Sequence, residues 1–132
     1  MTASVPEAMR DLFDEPALAH VSYLKDAGQI VTFPCGWTST ARICTVGSPV
    51  GSRKGQAVRL RPQVGVSIVS TKTPWHWLSV SGRVVDIRPD EDLASIDRMS
   101  LKYVGQLYRR RSPREVFTIE IDRVGHSGSW AG

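Results

Sequence analysis

Three alternating runs constrain this chain more than any other feature. Val64, Val66 and Ile68 alternate with small or polar residues, and Leu78, Val80 and Val84 do the same within Trp77 to Ile87. Phe117, Ile119 and Ile121 alternate with Thr118, Glu120 and Asp122. Successive side chains of a strand point to opposite faces, so such runs bury one face and solvate the other. That is the signature of antiparallel sheet, not of the doubly covered strands of a parallel one. Gly82 falls on the apolar face of its run and marks a bulge or a close backbone approach.

The remaining elements fit around these strands. His20 to Leu24 reads as a strand leading into the turn Asp26-Ala27-Gly28, where glycine supplies a positive φ. Gln29 to Trp37 is rich in β-branched and aromatic residues, and Pro34 confines it to an edge or a bulge. Thr38-Ser39-Thr40 is expected to close a hairpin onto Ala41 to Val46. Ser4 and Glu7 form an S-x-x-E capping pattern ahead of Met9, Leu12 and Phe13, and Glu15-Pro16 ends that helix. Ser52 caps a short helix, Arg53 to Leu60, stopped by Arg61-Pro62. Pro89-Asp90-Glu91-Asp92 opens the longest helix, with Leu93, Ile96, Met99, Tyr103 and Leu107 as its apolar stripe. The expectation is a mainly β (α+β) fold: six antiparallel strands curled into a barrel, with flanking helices.

Length and composition set the frame. At 132 residues the chain is read as a single domain, 1–132. With 41% hydrophobic and 23% charged residues it is neither a disordered tail nor a collagen-like repeat. No apolar run approaches the roughly 18–20 residues of a membrane span, and the start MTASVPEAMRDLF lacks a secretory pattern. Cys35 and Cys44 cannot form a disulfide framework, so a cytoplasmic protein with reduced packing thiols is expected, although a cross-strand contact between the two stays open. The net charge is +4, carried by thirteen Arg and four Lys against 13 acidic residues.

The placement of that charge suggests chemistry. Gly51-Ser52-Arg53-Lys54-Gly55 is a small-residue turn opening onto a helix, and free amides beside two cations suit a phosphate. An exposed helix start with solvated charges is the alternative. His20, His76 and His126 are scattered without metal-ligand spacing, so no metal is expected. Trp75 and Trp77 flank His76; Trp77 is a candidate cap for a cofactor or substrate pocket, or a structural residue. The run Arg109-Arg110-Arg111-Ser112-Pro113-Arg114 resembles a nucleic-acid contact but lacks interleaved aromatics, which favours a solvated loop; the other reading is contact with an anionic cofactor tail from the partner subunit.

Taken in order, these features resemble the pyridoxamine 5′-phosphate oxidase-like superfamily of FMN-binding split barrels. The likeness rests on Ser52-Arg53-Lys54-Gly55 with Arg61-Pro62-Gln63-Val64 behind it, on Val80-Ser81-Gly82-Arg83-Val84, and on Tyr103-Val104-Gly105, and it runs from residue 8 to 124. It implies a six-stranded antiparallel split β-barrel and a homodimer. It also implies a flavin-type cofactor whose phosphate is gripped by Ser52, Arg53, Lys54 and Gly55. Thr32 and Pro34 would lie on the strand lining the ring, with Thr45 and Val46 at the strand end that reaches the ring and ribityl chain.

The departures are equally specific. Basic residues of the usual second-strand flavin motif are absent from Gln29 to Gly36, Gly47 to Gly51 are extra, and no substrate-recognising segment follows His126-Ser127-Gly128-Ser129-Trp130. Vitamin B6 oxidation is therefore not expected. The short format resembles small members that use the deazaflavin F420 in place of FMN, with Arg42, Arg59 or Arg61 as counter-ions for its glutamyl tail. The expected function is flavin- or deazaflavin-dependent oxidation or reduction of a small organic substrate by hydride transfer. The alternatives are a non-catalytic flavin- or haem-binding module and, less favoured, a nucleic-acid-binding barrel. No catalytic side chain is identified.

Overall fold

The computed structural model describes residues 3–127. The C-terminal residues 128–132, which include Ser129 and Trp130, lie outside the described residues.

The strands are β1 (Ala19–Leu24), β2 (Ile30–Cys35), β3 (Thr38–Ser39), β4 (Ile43–Pro49), β5 (Gln63–Val69), β6 (Trp77–Pro89) and β7 (Arg114–His126). They form one antiparallel sheet of seven strands, not six, in the order β2-β1-β5-β6-β7-β4-β3. The helices are α1 (Arg53–Leu60) and α2 (Ala94–Val104), with short 3-10 segments at Glu7–Phe13, Asp26–Gly28 and Glu91–Leu93.

The two edge strands, β2 and β3, are joined by Gly36-Trp37 alone. Cα atoms are 3.8 Å apart along the chain, so Cys35 and Thr38 lie within about 11 Å of each other. A sheet whose opposite edges are that close has to curl, and the half-closed barrel follows from the link. Trp37 is buried to 1% exposure, and its Nε1 donates to the Ala17 carbonyl at 2.7 Å. This burial is why the expected hairpin does not form. The chain breaks from β2 to insert Trp37, β2 pairs only with β1, and a separate two-residue β3 pairs Thr38 with Thr45 and Ser39 with Cys44. Pro34 does sit on the edge strand, opposite His20.

Inside the curl, Val21, Val46, Val64, Val66, Val80, Phe117 and Ile119 pack with Leu12 and Trp37 into one core. The space among Val21, Phe33, Lys54, Val58 and Phe117 amounts to only about 10 Å³, so the barrel interior is full. Gly82 is placed as expected. The pairing of β6 with β7 shifts between Ser81 and Gly82, and a Cβ at Gly82 would meet the Glu120 carbonyl oxygen at 2.1 Å.

The N-terminal segment forms a 3-10 helix without the expected capping box, because Pro6 occupies the cap position and no side chain closes it. Tertiary bonds hold it instead. Glu15 accepts from Thr71 N at 2.8 Å and from the Thr71 and Ser70 hydroxyls, and His76 Nε2 lies 2.9 Å from Asp11 Oδ1. α2 also starts later than its sequence suggests. Asp92 and Leu93 adopt left-handed φ of 53° and 57°, and the Asp90 carboxylate accepts from Ser95 N and Ile96 N at 2.8 and 3.0 Å. The helix ends on Gly105 at φ 74°, so Leu107 falls beyond it and is exposed. Among the described residues no helix is long and apolar enough to cross a membrane.

Two outcomes follow from these contacts. Gly82→Ala forces backbone apart between central strands and is expected to cost about 2 kcal/mol or more, read as a lowered urea midpoint. Burial would raise the Glu15 carboxyl, but hydrogen bonds from Thr71 and Ser70 with nearby Lys72 outweigh it and hold the group below its ordinary 4.5. Folding thus favours the ionised form. Its contribution is complete above pH 4.5 and is lost as pH falls through the folded-state value. Glu15→Gln should be less stable than the parent at pH 7, with the gap between their urea midpoints closing at pH 3.

Candidate functional site

Among the described residues the roomier clefts lie at the surface, and α1 organises one of them. Ser52 caps the helix, its Oγ accepting from Gly55 N at 3.0 Å and from the buried Ser48 hydroxyl at 2.7 Å. The amides of Arg53 and Lys54 precede the first intrahelical bond, so helix geometry leaves them without a carbonyl partner in α1. Gly51, at φ 80° with open space around it, turns the chain into the helix. Gly55 packs the first turn tightly, since a Cβ there would meet Arg59 Nη1 at 3.1 Å and the Phe117 ring at 3.5 Å.

Adjacent residues of a helix point about 100° apart, and here that separates the two cations. Arg53 lines a cleft of about 490 Å³ with Lys25, Asp26, Gln56 and Leu60. Lys54 turns inward instead, with Nζ 3.9 Å from the Phe33 ring centroid. Burial pushes the Lys54 ammonium below its ordinary value; Cys35 opposes that shift, and the Arg114 guanidinium adds a smaller push downward. Arg114 also stacks on Tyr108 at 5.2 Å and reaches to 3.5 Å of where a Gly47 Cβ would stand. No salt bridge to Lys54 or Arg114 occurs among the described residues. Two cations without a carboxylate partner among the described residues make the α1 start a candidate anion site.

The sequence presents Arg114 only as part of a basic run, not beside the α1 start. It was grouped with the Arg109–Arg111 run, which the structure breaks up. Arg111 pairs with Asp97 through both carboxylate oxygens, at 2.7 and 3.0 Å, whereas Arg114 begins β7, stacks on Tyr108 and lies beside Gly47. The proposed tail counter-ions divide similarly. Arg59 is ion-paired with Glu115 and Arg61 lies 3.6 Å from Asp26, while Arg42 is exposed without an ion pair among the described residues.

The other expected site residues are spread over the fold. Thr32 and Pro34 occupy the exposed face of β2, where Thr32 Oγ1 is 2.9 Å from Ser22 Oγ. Val46 is buried at 2% exposure, so its side chain belongs to the core and only its backbone can meet a ligand. Thr45 faces the opposite way, into a hollow beneath α2. Trp77 begins β6 beside Ser127, and the pairing of β6 with β7 puts it past His126, eight residues along β7 from Thr45's partner Thr118. That is about 27 Å at strand rise. One protomer does not bring Trp77 to the α1 start. Burial raises the Cys35 and Cys44 thiols to about 11 and about 12, and both are free.

Known structures share this architecture. No family model and no curated protein matches the chain. An F420 reductase superposes with a TM-score of 0.83 at 20% identity, over 92% of this chain and 98% of that one. General stress protein 26 from Bacillus anthracis aligns at 0.69 and 12% identity, covering 91% of each chain. A candidate pyridoxamine 5′-phosphate oxidase from Listeria innocua gives 0.61 and 16%, covering 90% and 92%. At these identities the likeness defines the fold, and the expected split-barrel resemblance holds at that level.

Arg114→Ala tests the paired cations directly. Removing the guanidinium should raise the Lys54 pKa, followed by NMR of the side-chain ammonium, whereas an unmoved titration would separate the two charges.

Proposed function

We propose that this chain is a split-barrel oxidoreductase that binds FMN or F420 and passes hydride to or from a small organic substrate, acting as a cytoplasmic homodimer. The observation that carries this reading is the unneutralised pair Lys54 and Arg114 at the start of α1, in a fold shared with an F420 reductase over 92% of the chain.

The donor set suits a phosphate. An ammonium, a guanidinium and two helix-start amides supply charge-assisted bonds from several directions. Gly47 lets β4 pack closely on β7 beside Arg114, since a Cβ there would sit 3.2 Å from the Glu115 carbonyl oxygen and 3.5 Å from the Arg114 guanidinium. A bound flavin-type ring supplies the two-electron chemistry itself. The residues of this chain have the simpler tasks of anchoring, orienting and excluding water. Lys54, half-stripped of solvent on Phe33, recovers favourable electrostatics when an anion reaches it. Ser52 and Gly55 hold the helix start in place. Thr32 and Pro34, with Thr45 and the Val46 backbone, are the proposed ring contacts. Trp77 would reach a ring only across a subunit interface, consistent with a homodimeric site. Arg53, turned into its own cleft, is assigned to the anionic tail that F420 has and FMN lacks.

Parallel equilibrium titration with FMN and F420 tests the reading. Micromolar binding of one cofactor is expected, and Lys54→Ala or Arg114→Ala should weaken it about 10-fold to 100-fold, the worth of a charged hydrogen bond. Arg53→Ala should weaken F420 more than FMN. If neither cofactor binds, the oxidoreductase reading fails. Binding without turnover of any reducible substrate would leave a cofactor-carrying module.

A further inference from the structure

α2 crosses the outer face of the β7-β4-β3 half of the sheet. Leu93, Met99 and Val116 are buried beneath or beside it, outside the main core. At the N-terminal end of α2 this packing is open, leaving a hollow of about 340 Å³ lined by Thr38, Thr45, Arg88, Ser95 and Arg98 among others. Thr38 and Thr45 give its lining two hydroxyls beside the apolar Val116, and Thr118 adjoins them in the sheet. Thr38 stands opposite Thr45, and Thr45 opposite Thr118, so three threonines form a row across three strands.

Two arginines flank that row. Arg88, from the end of β6, donates to Thr118 Oγ1 at 3.3 Å and lies 3.6 Å from Asp86, both partners being more than half exposed. Arg98, on α2, has no ion pair among the described residues. Asp90 borders the same hollow, but its two carboxylate oxygens are engaged by the amides of Ser95 and Ile96. Glu91 is the other carboxylate at the hollow, and it is exposed.

We propose that this hollow binds the anionic oxygens, carboxylate or phosphate, of a small molecule other than the cofactor. Guanidinium groups present a planar fork that meets two oxygens at once, and threonine hydroxyls donate to whichever oxygens remain. The volume lies in the range of small-ligand sites. Thr45 is shared with the proposed ring contacts, but neither arginine is, so the site stands or falls without the flavin reading. Glu91 repels an anion there and keeps the hollow selective for ligands that place a donor toward it.

The test uses the full chain without added cofactor, at 0.15 M salt to suppress diffuse attraction. Inorganic phosphate and citrate are titrated separately by calorimetry, with the arginine Nε resonances followed by NMR. At least one probe should bind with a Kd below about 1 mM. Arg98→Gln and Arg88→Gln should each weaken it about tenfold, and Glu91→Gln should strengthen it. Phosphate-only binding assigns a phosphoryl ligand and citrate-only binding a carboxylate. Absence of binding by both probes overturns the proposal. Binding lost in Lys54→Ala but kept in Arg98→Gln does so too, placing the anion at α1 instead.

Discussion

The fold depends on the short passage at Gly36-Trp37. Two residues carry the chain from one edge of a seven-stranded sheet to the other, which is possible only if those edges approach. Trp37 fixes the passage with a buried indole, bonded to Ala17 and set edge-on against Phe13 at 5.6 Å. Tyr103 from α2 donates to the same Ala17 carbonyl at 2.7 Å. Gly36 allows that approach, since a Cβ there would press on the Tyr103 ring at 3.0 Å and on Met99. Closure of the sheet, docking of α2 and placement of the N-terminal segment therefore meet at one point. Both candidate sites lie on strands whose positions follow from it.

What the sequence made legible was set by period and by backbone chemistry. The alternation of β5, β6 and the middle of β7 was plain because each buries one face, and Gly82 and Gly28 announced a close approach and a positive φ. The strand count was missed because a run from Gln29 to Trp37 looks continuous. Its break comes from burying Trp37 against Ala17, twenty residues away in sequence, which no local pattern records. The capping box at Ser4 and Glu7 and the start of α2 failed for a related reason. Long-range bonds to Glu15 and Asp11 shape the first, and the left-handed pair Asp92-Leu93 displaces the second. Two such residues each cost on the order of 1 kcal/mol, and the Asp90 cap with burial of Leu93 offsets them.

The candidate site was half legible. Ser52 as a cap and Lys54 as a cation follow from the motif, but neighbours on a helix diverge, so Arg53 and Lys54 were bound to face different surroundings. The second cation at Lys54 comes from sixty residues further on, where Arg114 opens β7 opposite Pro49. Only strand pairing supplies that neighbour. A basic run read along the chain made Arg114 part of a loop with Arg109 to Arg111, and register reassigns it to the barrel.

Ion pairing then sorts the chain's excess of positive charge more sharply than counting does. Arg59, Arg61, Arg83 and Arg111 stand beside carboxylates, so their fields largely cancel at short range. Among the described residues Lys54 and Arg114 have no such partner, and neither has Arg98. A charge left unpaired at the protein surface is ordinary when it is alone in water. Lys54 is not alone: it is partly desolvated on an aromatic ring with a second cation in reach, an arrangement that raises the energy of the empty protein. Burial of Phe33 against α1 holds that arrangement in place. In the proposed reading, an anion that relieved it would bind with that repulsion as part of its driving force.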